Sequence, residues 1–595
     1  MKINLNFYKE DINISNISDE FYNEIESNLL KYGDLNYESN VINDVTSEKF
    51  SHISNIRKNI VEWYDFEKKD EVLEINLDNG LVTQFLCENF KNVTSISFSN
   101  KITNVISKGL QKYDNLEIIV GKISDIILNK KYDYIVVFNC LENFDKIYDG
   151  KLIDLLKYLK ELLNENGTIL LGVDNPFGLK RLIGGTDSYN NIPFSIFDGI
   201  TKEKLNYYFN ELKLKSKFYY PLPDYKMTSV IFSDEYMPTL NNSKLLYNLN
   251  YKDNDILIAN EHLYLKKVIE NRTFDKYANS FFIEIKKDNE FYKQPKFVSF
   301  NNLRKEEYRL ITKMYDSYVL KKSQNEKSQN HINNINTYID ELSKLDFKLL
   351  DEKYQKNIKS TYCDNQTFNK ILAESILSEQ YTKSAELIDL WKNNVLQKLI
   401  VNCDKDDIKN DNVFKKFGIE ISDEIIESLN FTEYGYYDLV FENAFLVNNN
   451  FIFYDQEWKE RNVPIEFLLY RTINNLYMYS EDIQNKISVN NMFERNGINA
   501  YIELFDKLEQ KIQEKILDKN RVKVCNNCVN IKNISDISIQ NLNLIKINDS
   551  LNNDLKELSD NYNELQEKYK ILEDEISKIR SSKLYKIFSK YNKLK

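Results

Sequence analysis

The sequence predicts an α/β protein: a doubly wound, largely parallel sheet in its first half, a mixed α+β second half and a C-terminal coiled-coil helix. Three observations carry this. Between residues 45 and 240 short apolar, β-branched runs alternate with longer helical patterns, the mark of parallel strands joined by crossover helices. From 241 to 525 the pattern becomes tyrosine-rich and mixed. From 546 to 580 Leu, Ile and Tyr recur in steps of four and three without a break. Residues 1–44 read as an N-terminal extension, 526–545 as a linker and 581–595 as a basic amphipathic tail.

Composition narrows the function classes. With 80 basic and 91 acidic residues the formal charge is −11, which argues against a nucleic-acid partner. The start, MKINLNFYKE, has no basic stretch leading into an apolar one, and no run of 18 apolar residues occurs, so a cytoplasmic location is expected. Six cysteines in 595 residues make no disulfide framework. Only Cys525 and Cys528 have C-x-x-C spacing, and without a second such pair they read as ordinary thiols.

In the first half the strands are EVLEIN (71–76), VTSIS (93–97), LEIIV (116–120), YDYIVVF (132–138) and GTILLGV (167–173). Between them lie the helical patterns LVTQFLCENF, ITNVISKGLQKY and LIDLLKYLKELLNENG, the last ending at Asn166-Gly167, a helix stop. A further helix, TKEKLNYYFNELKLK, precedes a closing strand pair, SKFYYPLP and MTSVIFSD. Fold alone does not give function.

The ordered segments SHISNIRKNIVEWYDF, VLEINLDNG, NLEIIVG, KYDYIVVFNCLENF and LKELLNENGTILLGVDNPFGLKRLIGG give the chain its resemblance. Over about residues 45–235 it resembles class I S-adenosylmethionine-dependent methyltransferases, with a Rossmann-like fold, and most those of bacterial surface-polysaccharide loci. The resemblance implies S-adenosylmethionine at the carboxyl ends of the strands. It would lie against Glu74, Asn76, Asp78, Gly80, Ser97, Lys122 and Asn139. At three points the chain departs from the family. Asn76 and Asp78 stand where glycines are usual, leaving Gly80 alone; Ser97 replaces the acid that holds the ribose; Lys122 replaces the polar residue that meets adenine. Loss of the charge-assisted ribose contact alone costs roughly 1.5–3 kcal/mol. The first half is therefore an active methyltransferase or a retired one. Asp133 and Glu142 are further acids of the family pattern, and Asn175, Lys180 and Arg181 would face a sugar or phosphate acceptor if the 175–185 loop has a substrate role.

In the second half YYDLVFENAFLVNNNFIFYDQEW (436–458) sets Asp438 and Asn443 in D-x-x-x-x-N spacing, with Asp455 opening a D-x-E after a hairpin. The stretch resembles the catalytic lobe of aminoglycoside-phosphotransferase-like kinases. That resemblance implies Asp438 as the catalytic residue at the acceptor hydroxyl, with Asn443 and Asp455 holding magnesium on ATP. Departures are Tyr436 and Tyr437 in place of the usual His or Arg, and no Gly-rich loop. The small lobe is expected from SFFIEIKK (280–287) and KFVSFNN (296–302), where Ser299 takes the lysine's place and Lys296 points to the other face. Residues 322–354 read as a connection between lobes. An active glycan kinase and a partner-binding kinase fold both remain open.

The heptad seam runs Leu551, Leu555, Leu558, Tyr562, Leu565, Tyr569, Leu572, Ile576 and Ile579, and predicts self-association. In the tail, Leu584, Ile587, Phe588, Tyr591 and Leu594 share one face among six basic residues, a pattern for the anionic membrane surface. The order of parts resembles the methyltransferase-kinase chain terminators of bacterial O-polysaccharide. It implies a peripheral protein at the inner face of the cell membrane, acting on a lipid-linked or nascent surface glycan. The alternative is an oligomeric scaffold of two retired folds that recruits glycosyltransferases.

Overall fold

The five apolar runs of the first half become parallel strands because their side chains are covered on both faces, as continuous β-branched runs require. In the computed structural model they are β2 (Glu71–Ile75), β3 (Asn92–Ser97), β4 (Leu116–Gly121), β5 (Tyr132–Val137) and β6 (Leu163–Asp174), with β1 (Lys2–Phe7) added parallel to β4 at the edge. The structure describes all residues except 13, 15, 16, 187–192, 195–198, 241–256, 288, 289, 401–404, 527–533, 585 and 588–595. The chain divides into two units, Met1–Asp255 with Glu261–Ile531, and Ile256–Asn260 with Lys532–Lys595.

In the first unit one sheet runs through both halves of the sequence. After β7 (Lys215–Leu222) and β8 (Val230–Ser233) come β9 (Ser280–Lys286), β10 (Phe297–Phe300), β11 (Leu310–Met314), β12 (Tyr318–Ser323), β13 (Lys348–Leu349), β14 (Asp351–Tyr354) and β15 (Asn357–Thr361). The order is β1-β4-β3-β2-β5-β6-β9-β7-β8-β10-β11-β12-β15-β14. From β1 to β6 neighbours are parallel; from β6 onward each pair is antiparallel. The sequence places a division at 240/241, where residues 241–256 lie outside those described; the sheet itself passes from β8 to β10 without a gap.

Two expectations are corrected here. The run at 280–287 is not a small-lobe strand: β9 lies between β6 and β7, in register from Thr168↔Lys286 to Asp174↔Ser280. All seven of its residues are buried. A strand covered on both faces shows no alternation, and nothing local says which sheet it joins. The segment 322–354 is not a connection either: it carries the end of β12, the helix Gln329–Lys344, β13 and all of β14. That helix buries His331, Ile332, Ile335, Ile339 and Leu342, a stripe at helical spacing.

Further along are β16 (Phe431–Tyr436), β17 (Ala444–Val447), β18 (Asn450–Phe453) and β19 (Lys459–Pro464). β17 and β18 form the expected hairpin, turned by Asn448 and Asn449 at positive φ, which asparagine tolerates. β16 pairs with β19, and the helices Ile465–Tyr479 and Ile502–Ile516 pack below them in a second large core.

In the second unit Ile534–Ser581 is a single helix of 48 residues. Helix therefore replaces the expected linker over 534–545. Of the basic tail, residues 585 and 588–595 lie outside those described. Among the described residues no helix is long and apolar enough to cross a membrane.

Candidate functional site

In an open doubly wound sheet the ligand crevice lies outside the carboxyl ends of the strands where their order reverses. Here that point is between β2 and β5, whose carboxyl ends carry Asn76 with Asp78 and Asn139 respectively. All three have positive φ (87°, 44° and 54°). Asn and Asp are the non-glycine residues that best tolerate this conformation, so the turn keeps a glycine-type path without glycines. Gly80 also has positive φ (79°), and a Cβ there would strike Ile106, so its small size serves helix packing.

The side chains brought in by those substitutions bond across the crevice to one another. Asn76 Nδ2 donates to the carbonyls of Phe138 (3.3 Å) and Asn139 (3.0 Å). Asn139 Nδ2 donates to Asp78 Oδ2 (2.9 Å), and the buried Arg57 guanidinium pairs with the same carboxylate. Beneath them Glu74 accepts from Thr83 Oγ1 (2.7 Å) and Ser95 Oγ (2.6 Å). Burial pushes its carboxyl up to about 8 against those two hydrogen bonds. Ser97 is 2 % exposed and its hydroxyl donates to the Ser99 carbonyl at 3.1 Å. Lys122 pairs with Asp149 at 2.5 Å.

The N-terminal segment closes the rest. Ile12 N donates to the Phe98 carbonyl (2.9 Å), Asp11 accepts from Asn100 N (2.6 Å), and Ile14 is buried in one cluster with Phe98, Ile123, Ile126, Cys140 and Leu141. The cavity left beside residues 74–79 and 139 is about 10 Å³. That is room for about one water, against the roughly 300–1,000 Å³ of an ordinary ligand pocket. With residues 13, 15 and 16 outside those described, the space left beside 74–79 and 139 is itself too small for S-adenosylmethionine.

Nearby polar residues are also bonded within the protein. Asp133 accepts from Glu71 N and Asn164, and Glu142 accepts from Asp174 N (3.0 Å). Asn175 donates to the carbonyls of Lys276 and Ala278, Lys180 pairs with Asp224, and Arg181 and Lys226 pair with Asp174. The 175–185 loop is thus anchored from inside.

The second half presents a different picture. β10, β11, β12, β15 and β14 form a five-stranded antiparallel array, with Gln329–Lys344 inserted between β12 and β14. Between this array and the β17–β18 hairpin is a cleft of about 450 Å³. Met314, Val319, Ile358 and Phe445 form its apolar side; Lys321, Asp351, Asp455 and Glu457 form its polar end.

Asp455 lines that polar end, while Asp438 and Asn443 do not line the cleft and instead bond to the 454–457 segment that does. Asn443 Nδ2 and Gln456 Nε2 both donate to the Asp438 main-chain carbonyl (3.2 and 2.8 Å), and Glu457 N donates to Asp438 Oδ2 (2.8 Å). Burial raises the Asp438 carboxyl to about 6, with Glu457 adding to the shift and Arg471 opposing it. Asp455 sits at positive φ (61°) and its amide donates to Asp351 (2.7 Å).

Sequence reasoning missed the cation. Lys321, in β12, pairs with both Asp455 and Glu457. Ser299, taken as occupying the lysine's position, only lines the cleft from β10. The signal was the Val319-Leu320-Lys321 run on a strand leading into a helix, hidden because the following residues read as a polar connection. Arg304 is the other omission: it stands in the loop between β10 and β11 and pairs with Glu457. Burial favours the neutral acid at Glu457, but Arg304, Lys321 and His331 outweigh it and hold the carboxyl well below its usual range. The inserted helix offers His331, with Nε2 3.8 Å from Glu457.

No protein-family model matches the chain. No curated protein matches it. Solved structures similar to part of it are S-adenosylmethionine-dependent methyltransferases. One from Clostridium acetobutylicum is 23 % identical over 25 % of this chain and 60 % of its own length (TM-score 0.19). The plantazolicin methyltransferase BamL, solved with S-adenosylhomocysteine, is 13 % identical over 46 % of this chain and 99 % of its own (TM-score 0.24). The N-methyltransferase NodS from Bradyrhizobium japonicum is 14 % identical over 33 % and 85 % (TM-score 0.20). The doubly wound assignment of the first half rests on strand order and register.

Among the described residues no group of three or more His, Cys, Asp or Glu is arranged to hold a metal ion; Cys525 is a free thiol and Cys528 lies outside those residues.

Proposed function

We propose that the chain is a glycan-directed phosphotransferase whose chemistry lies in the second half, with the methyltransferase-type sheet serving as its support. One observation carries the reading: Lys321 and Asp455 line one 450 Å³ cleft below a five-stranded array with an inserted helix, and Asp438 is bonded to Gln456 and Glu457 of the same lining. The volume and the apolar side suit a nucleotide. Lys321 matches the third-strand lysine that meets nucleotide phosphates, and Asn443 and Asp455 match the pair that holds magnesium. Bound there, ATP with magnesium would supply the phosphoryl group.

The chain's own residues do the rest. Asp438, ionised above about pH 6, accepts the proton of an acceptor hydroxyl at its carboxylate. Arg304 and Lys321 keep Glu457 ionised, and its main-chain amide in turn fixes Asp438. A lipid-linked or nascent surface glycan is the acceptor class we propose, at an anionic membrane surface reached by the basic tail; the support is the tail's sequence pattern and the architecture it resembles. Magnesium-dependent ATP turnover by the full chain should fall at least a hundredfold in Asp455→Ala. Undiminished turnover in that variant removes the proposal.

A second reading, methyl transfer in the first half, is favoured by the placement of Asn76, Asp78 and Asn139 at the switch point. Calorimetric titration with S-adenosylhomocysteine separates the two: binding at micromolar concentration supports methyl transfer, and none near millimolar ends it.

A further inference from the structure

The helix Ile534–Ser581 begins twelve residues before the expected coiled coil. Continuing the seam upstream in the same steps reaches Asn548, Leu544, Asn541, Ile537 and Ile534. In heptad terms the d positions are then Ile537, Leu544, Leu551, Leu558, Leu565, Leu572 and Ile579, and the a positions Ile534, Asn541, Asn548, Leu555, Tyr562, Tyr569 and Ile576. The apolar members are exposed, Leu558 at 66 % and Leu565 at 65 %. A row of leucines this long left in water is a surface for a partner helix.

We infer that this face pairs with the same helix of a second copy of the chain, parallel and in register, as a two-stranded coil extending back to Ile534. Three features choose this occupant. Leucine fills five of the seven d positions, the choice of two-stranded coils. Two consecutive a positions are asparagine; buried at such a seam an asparagine finds its partner only opposite another asparagine, so Asn541 and Asn548 meet their own copies and fix register.

The third feature is charge. In a parallel pair, position g of one helix faces position e five residues further along the other. That puts Lys568 against Glu573 and Glu575 against Arg580, both of opposite sign, twice each per pair. A slip of one heptad would put Asn541 opposite Asn548 but leave Asn548 against Leu555 and the other copy's Asn541 against Ile534.

The full chain tests this. Sedimentation equilibrium should give twice the 70.8 kDa chain mass. Asn548→Cys, oxidised mildly, should yield a linked pair above the background of the native cysteines, because facing a positions lie within disulfide reach. Leu558→Asp with Leu565→Asp should abolish both results without unfolding the first unit. Glu573→Lys should weaken association about fivefold and Lys568→Glu with Glu573→Lys should restore it. A single or threefold mass, no link above background, or no restoration by the double reversal would overturn the inference.

Discussion

The crevice at the β2–β5 switch point and the cleft beneath β10–β15 are both lined by polar residues, yet one is full and the other is open. In the crevice the polar side chains bond across the gap: Asn76 to the Asn139 carbonyl, Asn139 to Asp78, Asp78 to Arg57. In the cleft the charged residues also pair, Lys321 with Asp455 and Glu457, but around about 450 Å³ of space. A polar site is thus judged by whether its groups are satisfied with or without a ligand, and the identity of the groups alone does not say.

The largest effect that would sharpen this contrast is at Asp438. Asp438→Asn should lower phosphotransfer 10²–10⁴-fold by removing the proton acceptor. In the unmodified chain, turnover should fall with one-proton slope below about pH 6, where the raised carboxyl protonates. A profile flat down to pH 5 would remove Asp438 from that role.

Glu74 is the next. Its carboxyl, raised to about 8 from 4.5, keeps its proton when the unfolded chain has lost it, so stability falls as pH rises from about 4.5 to 8. Glu74→Gln removes that dependence. Chemical denaturation should show the variant gaining on the parent by up to about 4 kcal/mol across this interval. A constant difference between the two would show Glu74 to be ionised.

Gly80→Ala should cost about 2–4 kcal/mol, from positive φ and the collision with Ile106, with no change in nucleotide turnover. Smallest is Arg57→Met: it unpairs Asp78 and should cost about 1–3 kcal/mol. If the crevice is locked by that pair, the variant should bind S-adenosylhomocysteine more tightly than the parent; if it is filled throughout, neither should bind.

What the sequence disclosed follows from the range of each signal. β2 to β6 were legible because each is a run of neighbouring apolar residues, and the β17–β18 hairpin because Asn448 and Asn449 mark a turn. The bonding of Asp438 and Asn443 to the segment around Asp455 was legible because a hairpin sets it locally. The filling of the crevice was not: Arg57 meets Asp78 from 21 residues away, and Ile14 meets Phe98 and Cys140 from much further. Such pairings are decided by tertiary packing alone. Lys321 escaped notice because a strand of half-buried residues followed by polar ones has no clear period.

The β8–β10 seam, where Val230 and Ile231 pair with Ser299 and Val298, ties the stability of the two halves together. A ligand that binds only the folded cleft adds RT ln(1 + [L]/Kd), about 2.7 kcal/mol at a hundredfold excess over Kd, to every element that unfolds with it. Through that seam β2 to β6 share the gain, so a nucleotide held at Lys321 would slow amide exchange in strands it never touches.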